Sequence, residues 1–172
     1  MSRTPKPQSV RLGGAVAALC AGLALSGCGF DAQTLQPYTP AQGVNTDVQS
    51  VKVRNLVIIA NQSGRGRVSA SLVATGNADA LAAVSGTAHK PDGSQATALT
   101  VTGGNVSLPT NKLVVLTGDG APTIGVAASD LRPGLTADLT LQFSSGAQTK
   151  LTVPVVSAAD PHYAAAAPEL AG

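Results

Sequence analysis

Hydrophobic and polar side chains alternate along several short runs in the second half of the chain. The clearest run places apolar residues at every second position: Leu135, Ala137, Leu139, Leu141 and Phe143. A second run repeats the pattern: Leu151, Val153 and Val155. Successive side chains of a β-strand point to opposite faces, so the pattern predicts strands with one buried face and one solvated face.

Runs rich in β-branched residues recur at a spacing typical of a β-sandwich. We predict strands at 49–60, 67–75, 80–90, 95–102, 111–117, 123–128, 135–143 and 148–156. Asp92-Gly93 and Asp119-Gly120 carry the strongest hairpin-turn chemistry, because glycine accepts the positive φ of tight turns, and we expect antiparallel pairing around both. Pro154 cannot donate to a strand ladder and predicts an edge strand or a strand end. The predicted fold class is all-β, an antiparallel Greek-key sandwich over residues 48–157.

The first 28 residues follow a different pattern. Arg3, Lys6 and Arg11 precede an uncharged run at 12–25, and small residues follow it. A positive region, an apolar region and small residues together indicate a secretory signal peptide. The apolar run has 14 residues, whereas a helix that spans a bilayer needs about 20. We therefore expect residues 1–27 to be removed from the precursor.

The end of this segment, Leu25-Ser26-Gly27-Cys28, resembles the bacterial lipobox. The resemblance implies that the Cys28 sulfur carries a diacylglyceryl group and that Cys28 becomes the mature N-terminus. Two or three acyl chains such as palmitate would hold a small domain on the membrane, because each buried methylene contributes about 0.8 kcal/mol. The alternative is an ordinary secretory peptide with an incidental cysteine.

The segments on either side of the predicted sandwich lack regular patterns. Residues 28–47 are rich in Gln, Thr, Pro and Ala and predict a lipidated N-terminus followed by a flexible tether. Residues 158–172 are rich in Ala, contain two prolines and predict a loose tail or a short helix. We expect His162 and Tyr163 to be exposed in that tail.

Charge argues against a nucleic-acid partner. Removal of residues 1–27 takes away three of the 11 Lys and Arg residues, which leaves eight against nine Asp and Glu, a net charge of −1. A nucleic-acid binder needs a basic surface, and Arg65 and Arg67 are the only two arginines this close together in the sequence. Beside glycines, this pair indicates a solvated hairpin tip; the alternative is a grip on phosphate or acidic lipid.

Four segments between about residues 51 and 156 follow a recognisable order: Val106-Ser107-Leu108-Pro109, Lys112-Leu113-Val114-Val115-Leu116, Asp130-Leu131-Arg132-Pro133-Gly134-Leu135 and Leu151-Thr152-Val153-Pro154-Val155. Their order resembles the periplasmic PCu(A)C copper-chaperone family, which implies a cupredoxin-like, immunoglobulin-like sandwich. The lipobox, Asp31-Ala32-Gln33-Thr34 and Val53-Arg54-Asn55-Leu56-Val57-Ile58 are also similar to small actinobacterial lipoproteins of the mycobacterial LpqE type.

The PCu(A)C resemblance implies copper, held as Cu(I) by histidine and methionine. The segment at 123–128, where that family has both ligands, contains neither, and Met1 is the only methionine. His89 lies near the family's first histidine and is a weak metal candidate, with Asp92 as an accompanying carboxylate. A useful affinity needs three or four convergent ligands, so we expect no metal site and interpret His89 as a partly exposed residue at a strand end.

No sequence motif indicates catalysis. Nucleophile elbows, Walker loops and His-Glu-x-x-His are absent from the sequence, and its aspartates are scattered at turn positions. We therefore predict no catalytic residues and no cofactor. The chain is interpreted as a membrane-anchored, extracytoplasmic lipoprotein that serves as a binding or accessory module of the cell envelope, with another envelope protein as its partner. The alternative is a copper-binding chaperone or sequestering lipoprotein with unconventional ligands.

Overall fold

The computed structural model describes residues 42–92 and 97–170. Contacts divide the chain into two units, residues 1–39 and 40–172, and every described residue belongs to the second. The signal peptide at 1–27, the lipobox with Cys28 and the first part of the predicted tether lie outside the described residues. Within the described ranges, no helix is long and apolar enough to cross a membrane.

The described part of the chain is almost entirely β-structure. Its elements are β1 (Val44–Val48), β2 (Val51–Ala60), β3 (Arg65–Ala74), β4 (Asp79–Ala88), β5 (Thr97–Ala98), β6 (Thr100–Thr102), β7 (Val106–Leu108), β8 (Leu113–Val115), β9 (Gly125–Ala127), β10 (Thr136–Phe143), β11 (Gln148–Ser157), α1 (Pro161–Ala164) and a 3-10 turn (Pro168–Leu170). This architecture confirms the predicted all-β fold class.

The strands form one continuous sheet that closes on itself. The hydrogen-bonded order is β5-β4-β10-β11-β2-β3-β9-β6. The two ends of this path, β5 and β6, are neighbours in sequence and are separated by Leu99 alone. Segment 97–102 therefore pairs with β4 on one side and β9 on the other, so the sandwich is closed like a flattened barrel. Neighbouring strands pair antiparallel except β11 and β2, which run parallel.

The interior follows the alternation in the sequence. Ala137, Leu139, Leu141 and Phe143 of β10 are buried in the main hydrophobic cluster. The same cluster takes alternate residues of β3 and β11, among them Val68 and Val153. The period-two pattern thus identified the buried face of β10 and β11 correctly, because one face of each strand lies against the core.

One edge of the long strand β3 is paired with two short strands, one after the other. The edge of β3 pairs with β9 at Arg65–Arg67 and with β8 at Ser71–Val73. The predicted Asp119-Gly120 hairpin is therefore wrong, since β8 and β9 pair with β3 and not with each other. Residues 117–123 leave the edge of β3 and return to it, and Gly118 and Gly120 adopt positive φ within this excursion. At the other predicted turn, β4 and β5 pair antiparallel, while Gly93 lies outside the described residues.

The interpretation of Pro154 as a marker of an edge strand is also wrong. Strand β11 lies inside the sheet, between β10 and β2. Pro154 pairs with Thr136 of β10, and the parallel pairing with β2 begins one residue later, at Val155. The Val155 amide donates to Leu135 at the β10 side. Because successive amides alternate in direction, the missing donor of Pro154 faces the side where β2 is not yet paired.

Both ends of the described chain are more ordered than their composition suggests. Strand β1 begins within the predicted tether, at Val44, and pairs with β2. After β11, Asp160 caps α1 by accepting a hydrogen bond from the His162 amide at 2.9 Å. Ala158, Ala167 and Leu170 then pack on Ile59 at the outer face of the sheet. Of the two predicted alternatives, the short helix is present as α1, and the segment is docked and not loose; we call residues 158–170 the C-terminal cover.

Candidate functional site

The first polar cluster on the sheet surface surrounds His89, just past the end of β4. Its Nδ1 lies 3.0 Å from the hydroxyl of Thr136, and its Nε2 lies 3.4 Å from Oδ1 of Asp138. Thr136 and Asp138 project from β10, which pairs with β4, so the register of these two strands brings the three side chains together. The His89 side chain is 35% exposed.

Asp138 is the centre of this cluster, and its charge is well compensated. The Thr152 hydroxyl donates to Oδ1 at 2.7 Å, and Lys150 Nζ lies 3.0 Å from Oδ2. The hydrogen bond from Thr152, followed by that from Lys150, lowers the pKa of Asp138 below its ordinary value. The carboxylate is therefore ionised and engaged at neutral pH.

These surroundings do not fit Cu(I). The partners of His89 are a hydroxyl and a carboxylate that already contacts an ammonium group, whereas Cu(I) prefers thioether, thiolate and imidazole ligands. Within residues 42–92 and 97–170, no three His, Cys, Asp or Glu side chains are grouped as a metal site. Asp92, the other candidate, is exposed and has an interaction of its own.

The second polar cluster surrounds Arg67 on the outer face of β3. Val68 and Ala70 of the same strand point into the core, so Arg67 has the opposite parity and faces outward. Its neighbour across β2 is Ile59, which is covered by the C-terminal cover. Arg67 is consequently 7% exposed, and among the described residues it is the one charged residue that is buried.

The interpretation of Arg65 and Arg67 as a solvated hairpin tip is therefore wrong for Arg67. The turn lies earlier, where the Asn61 side chain accepts hydrogen bonds from the amides of Ser63 and Arg65, both at 3.1 Å. These bonds end the turn, so β3 begins at Arg65 and both arginines lie on the strand. Arg65 remains exposed.

The charge of Arg67 is poorly compensated. Its Nη1 lies 3.6 Å from Oε1 of Glu169, beyond hydrogen-bond distance, and the Glu169 side chain is 51% exposed. Its Nε is buried and finds no acceptor among the described residues. A buried ionised group normally has partners for each of its donors, because an unpaired charge in a low-dielectric environment destabilises the fold.

A cavity of about 330 Å³ opens beside this guanidinium group. Its polar lining includes the three threonines Thr100, Thr102 and Thr123, together with Arg65. Strand β9 forms the floor, where a Cβ on Gly125 would lie 2.6 Å from the Thr102 hydroxyl oxygen. Glycine at this position therefore keeps the cavity open and lets the Thr102 hydroxyl lie over the strand.

The arrangement is suited to binding an anion. Two arginines and three threonines line one small space, and Glu169 is the single acidic residue among the described lining residues. Segment 123–128, which the PCu(A)C resemblance singled out as lacking copper ligands, supplies part of this lining. Sequence reasoning kept an anion grip at Arg65 and Arg67 as its alternative but missed the cavity, because the cover that encloses it comes from the Ala-rich C-terminal residues.

No protein-family model matches the sequence, and no curated protein matches it. Among solved structures, the chain is similar to the copper-bound PCuAC domain from PmoF2, with a TM-score of 0.52 and 16% identity over 66% of this chain and 98% of that domain. The apo PCuAC domain from PmoF1 gives a TM-score of 0.49 and 18% identity over 66% of this chain and 99% of that domain. The apo PmoF2 PCuAC domain gives a TM-score of 0.48 and 18% identity over 66% of this chain and 95% of that domain. At such identities, the first similarity shows the fold alone: a PCuAC-like β-sandwich.

Proposed function

We propose that the protein is a non-catalytic binding module of the cell envelope, held at the extracytoplasmic side of the membrane by lipid on Cys28. The observation that carries the binding role is the open cavity beside Arg67, in which a buried cation has one distant partner. The lipobox motif at Leu25-Ser26-Gly27-Cys28 supports the anchor. The PCuAC-like fold supplies a closed sandwich on whose surface the site is built.

Copper transfer is the competing function, because the similar structure from PmoF2 is a copper-bound domain. In this chain His89 would have to be the central ligand, and its neighbours are oxygen and ammonium groups. The proposed module has therefore kept the fold and uses a different part of the surface. In a competition with a chromophoric chelator, we expect Cu(I) to stay on the chelator with the wild type and with His89→Ala alike. Removal of Cu(I) from the chelator by the wild type, abolished in His89→Ala, would establish the copper function instead.

Anchoring is tested by cell fractionation. We expect the wild type in the membrane fraction and Cys28→Ala in the soluble extracytoplasmic or unprocessed precursor pool. Cys20→Ala is the matched control, because Cys20 lies within the signal peptide and is removed before the mature protein forms. A Cys28→Ala protein that is processed normally and still remains with the membrane would contradict a lipid anchor.

A further inference from the structure

We infer that the cavity beside Arg67 binds a small molecule through a carboxylate or phosphate group, and that Glu169 is an internal substitute for this group. The inference rests on the proposed binding function and names its ligand class. A guanidinium group binds carboxylate or phosphate through two parallel N–H donors. In this structure the Glu169 carboxylate approaches one nitrogen of Arg67 at 3.6 Å, and Nε has no acceptor among the described residues.

The burial of Arg67 distinguishes this site from a surface arginine. The side chain is 9% exposed, so water provides little of the hydrogen bonding that its donors require. Once the Glu169 side chain has moved aside, an incoming oxyanion would supply acceptors to the guanidinium group in its place, and the low local dielectric would strengthen the attraction. Arg65, on the same face of β3, adds a second positive charge at the more exposed side of the cavity.

Glu169 can leave Arg67 without loosening the cover. Its side chain is half exposed, whereas Ala167 and Leu170 on either side of it are buried against Ile59. Rotation of one flexible side chain would therefore open the guanidinium group, and the backbone of the 3-10 turn would stay in place. An external anion competes with a tethered carboxylate whose contact is long and solvent-exposed.

The other lining groups restrict the ligand to a small polar anion. A cavity of about 330 Å³ is at the lower end of the size range of small-molecule sites. Thr100 and Thr102 also line the cavity, and their hydroxyl groups would bond to the remaining ligand oxygens. Thr123 bonds weakly, at 3.5 Å, to the Ala121 carbonyl. Both a free metabolite and the headgroup of an anionic phospholipid offer this chemistry.

Amide chemical shifts of the full mature protein in detergent provide the test. The probes are succinate, inorganic phosphate and glycerophosphoglycerol, a soluble phosphodiester headgroup, each compared with sodium chloride at equal ionic strength. We expect saturable shifts at Thr102, Gly125 and Val126, which surround the cavity, with at least one probe. Binding of succinate or phosphate assigns the site to a free small molecule, and binding of glycerophosphoglycerol alone assigns it to a lipid headgroup.

Two substitutions separate binding from structure. Arg67→Gln should abolish the saturable shifts while keeping a polar side chain of similar length. Glu169→Gln should strengthen binding about threefold or more, because it removes the competing carboxylate; a purely structural ion pair predicts no such gain. Lys112→Gln is the matched control, since it removes one positive charge from an exposed position outside the cavity. It should leave the affinity within about twofold of the wild type, as expected for weak effects of a distant, screened charge.

Three results would overturn the inference: no saturable shift with any probe in either the wild type or Glu169→Gln, shifts that persist in Arg67→Gln, or equal weakening by Lys112→Gln and Arg67→Gln. These results leave the anchor and copper experiments unaffected. If the protein is membrane-anchored and takes up no Cu(I), but binds none of these anions, only the ligand class is contradicted. A processed Cys28→Ala variant that fractionates with the membrane as the wild type does would contradict the anchor alone.

Discussion

The two polar clusters on the sheet satisfy their charges to very different degrees. Asp138 is partly exposed and is engaged by Thr152, Lys150 and His89. Arg67 is more deeply buried and has one carboxylate at 3.6 Å. The first cluster resembles an ordinary cross-strand network that stabilises the pairing of its strands. The second retains a cation whose burial costs stability, which is typical of a group kept for binding.

The difference shows how a site can arise on a closed sandwich. Both clusters lie on outward-facing strand positions, where side chains are normally solvated. Only the Arg67 cluster is enclosed by the C-terminal cover, which excludes water from one side of the guanidinium group. A short added segment has thus turned an ordinary surface position into a low-dielectric one.

The largest expected effect comes from loosening the cover. Leu170→Ala removes a buried side chain that holds the 3-10 turn on Ile59, and we expect the free energy of unfolding of the cover to fall by about 2 kcal/mol. Hydrogen exchange at Ile59 and Ala158 measures the change. Leu113→Ala, at a leucine that is 65% exposed, should cost less than about 0.5 kcal/mol. Equal protection of Ile59 in Leu170→Ala and wild type would contradict the enclosing role of the cover.

A smaller effect is expected from Asp138→Asn. Loss of the carboxylate weakens its contacts with Thr152 and Lys150, and we expect the free energy of unfolding to fall by about 1 kcal/mol in urea titrations. Asp119→Asn, in the exposed excursion, is the control and should change little. An unchanged free energy of unfolding in Asp138→Asn would contradict the view that the contacts of Asp138 stabilise the fold.

Acid should weaken the Asp138 cluster. Hydrogen bonds from Thr152 and Lys150 lower the pKa of Asp138 below the ordinary value of 3.8. The unfolded chain therefore binds more protons than the folded one at acidic pH. The stabilisation is complete above the ordinary value and is lost as the pH falls through the lower pKa of the folded state. Unfolding curves between about pH 5 and pH 2 should decline less steeply for Asp138→Asn than for wild type.

The smallest effect on stability, and the sharpest contrast, is expected from Arg67→Met. Because the side chain is buried and its Nε has no acceptor among the described residues, its replacement by an apolar side chain should leave the free energy of unfolding unchanged or raise it by up to about 1 kcal/mol. Arg54→Met is the matched control, since Arg54 donates to the carbonyls of Thr46 and Val53 at 2.8 and 2.9 Å. It should destabilise by about 1 kcal/mol in the same urea titration. Equal losses in both variants would mean that Arg67 is a structural residue.

The sequence was a good guide where the structure depends on local alternation. Residues 137–143 and 151–155 follow a strict period of two, and the buried parity matches the prediction. The sandwich class follows from many such runs. His89 also lies at the end of a strand, partly exposed, because the β-pattern of β4 stops just before Lys90-Pro91.

The failures occurred where pairing is decided by distant parts of the chain. Asp119-Gly120 has good turn chemistry, but the strands on both sides of it, β8 and β9, pair with the edge of β3 and not with each other. Arg67 has neighbours typical of a loop, but its burial depends on residues a hundred positions later. Neither effect leaves a local signal in composition or periodicity, since both arise from competition between surfaces that meet only in the folded chain.

The excursion at 117–123 makes the protein a natural scaffold for a reporter. Its two ends are fixed separately by β3, through β8 and β9, and its middle is exposed, which is the setting in which insertions are best tolerated. Its last residue, Thr123, also lines the cavity beside Arg67. A fluorophore attached at residue 119 would therefore lie on a strand-anchored loop that ends at the proposed binding site, and occupancy of the cavity could be followed as a change in emission.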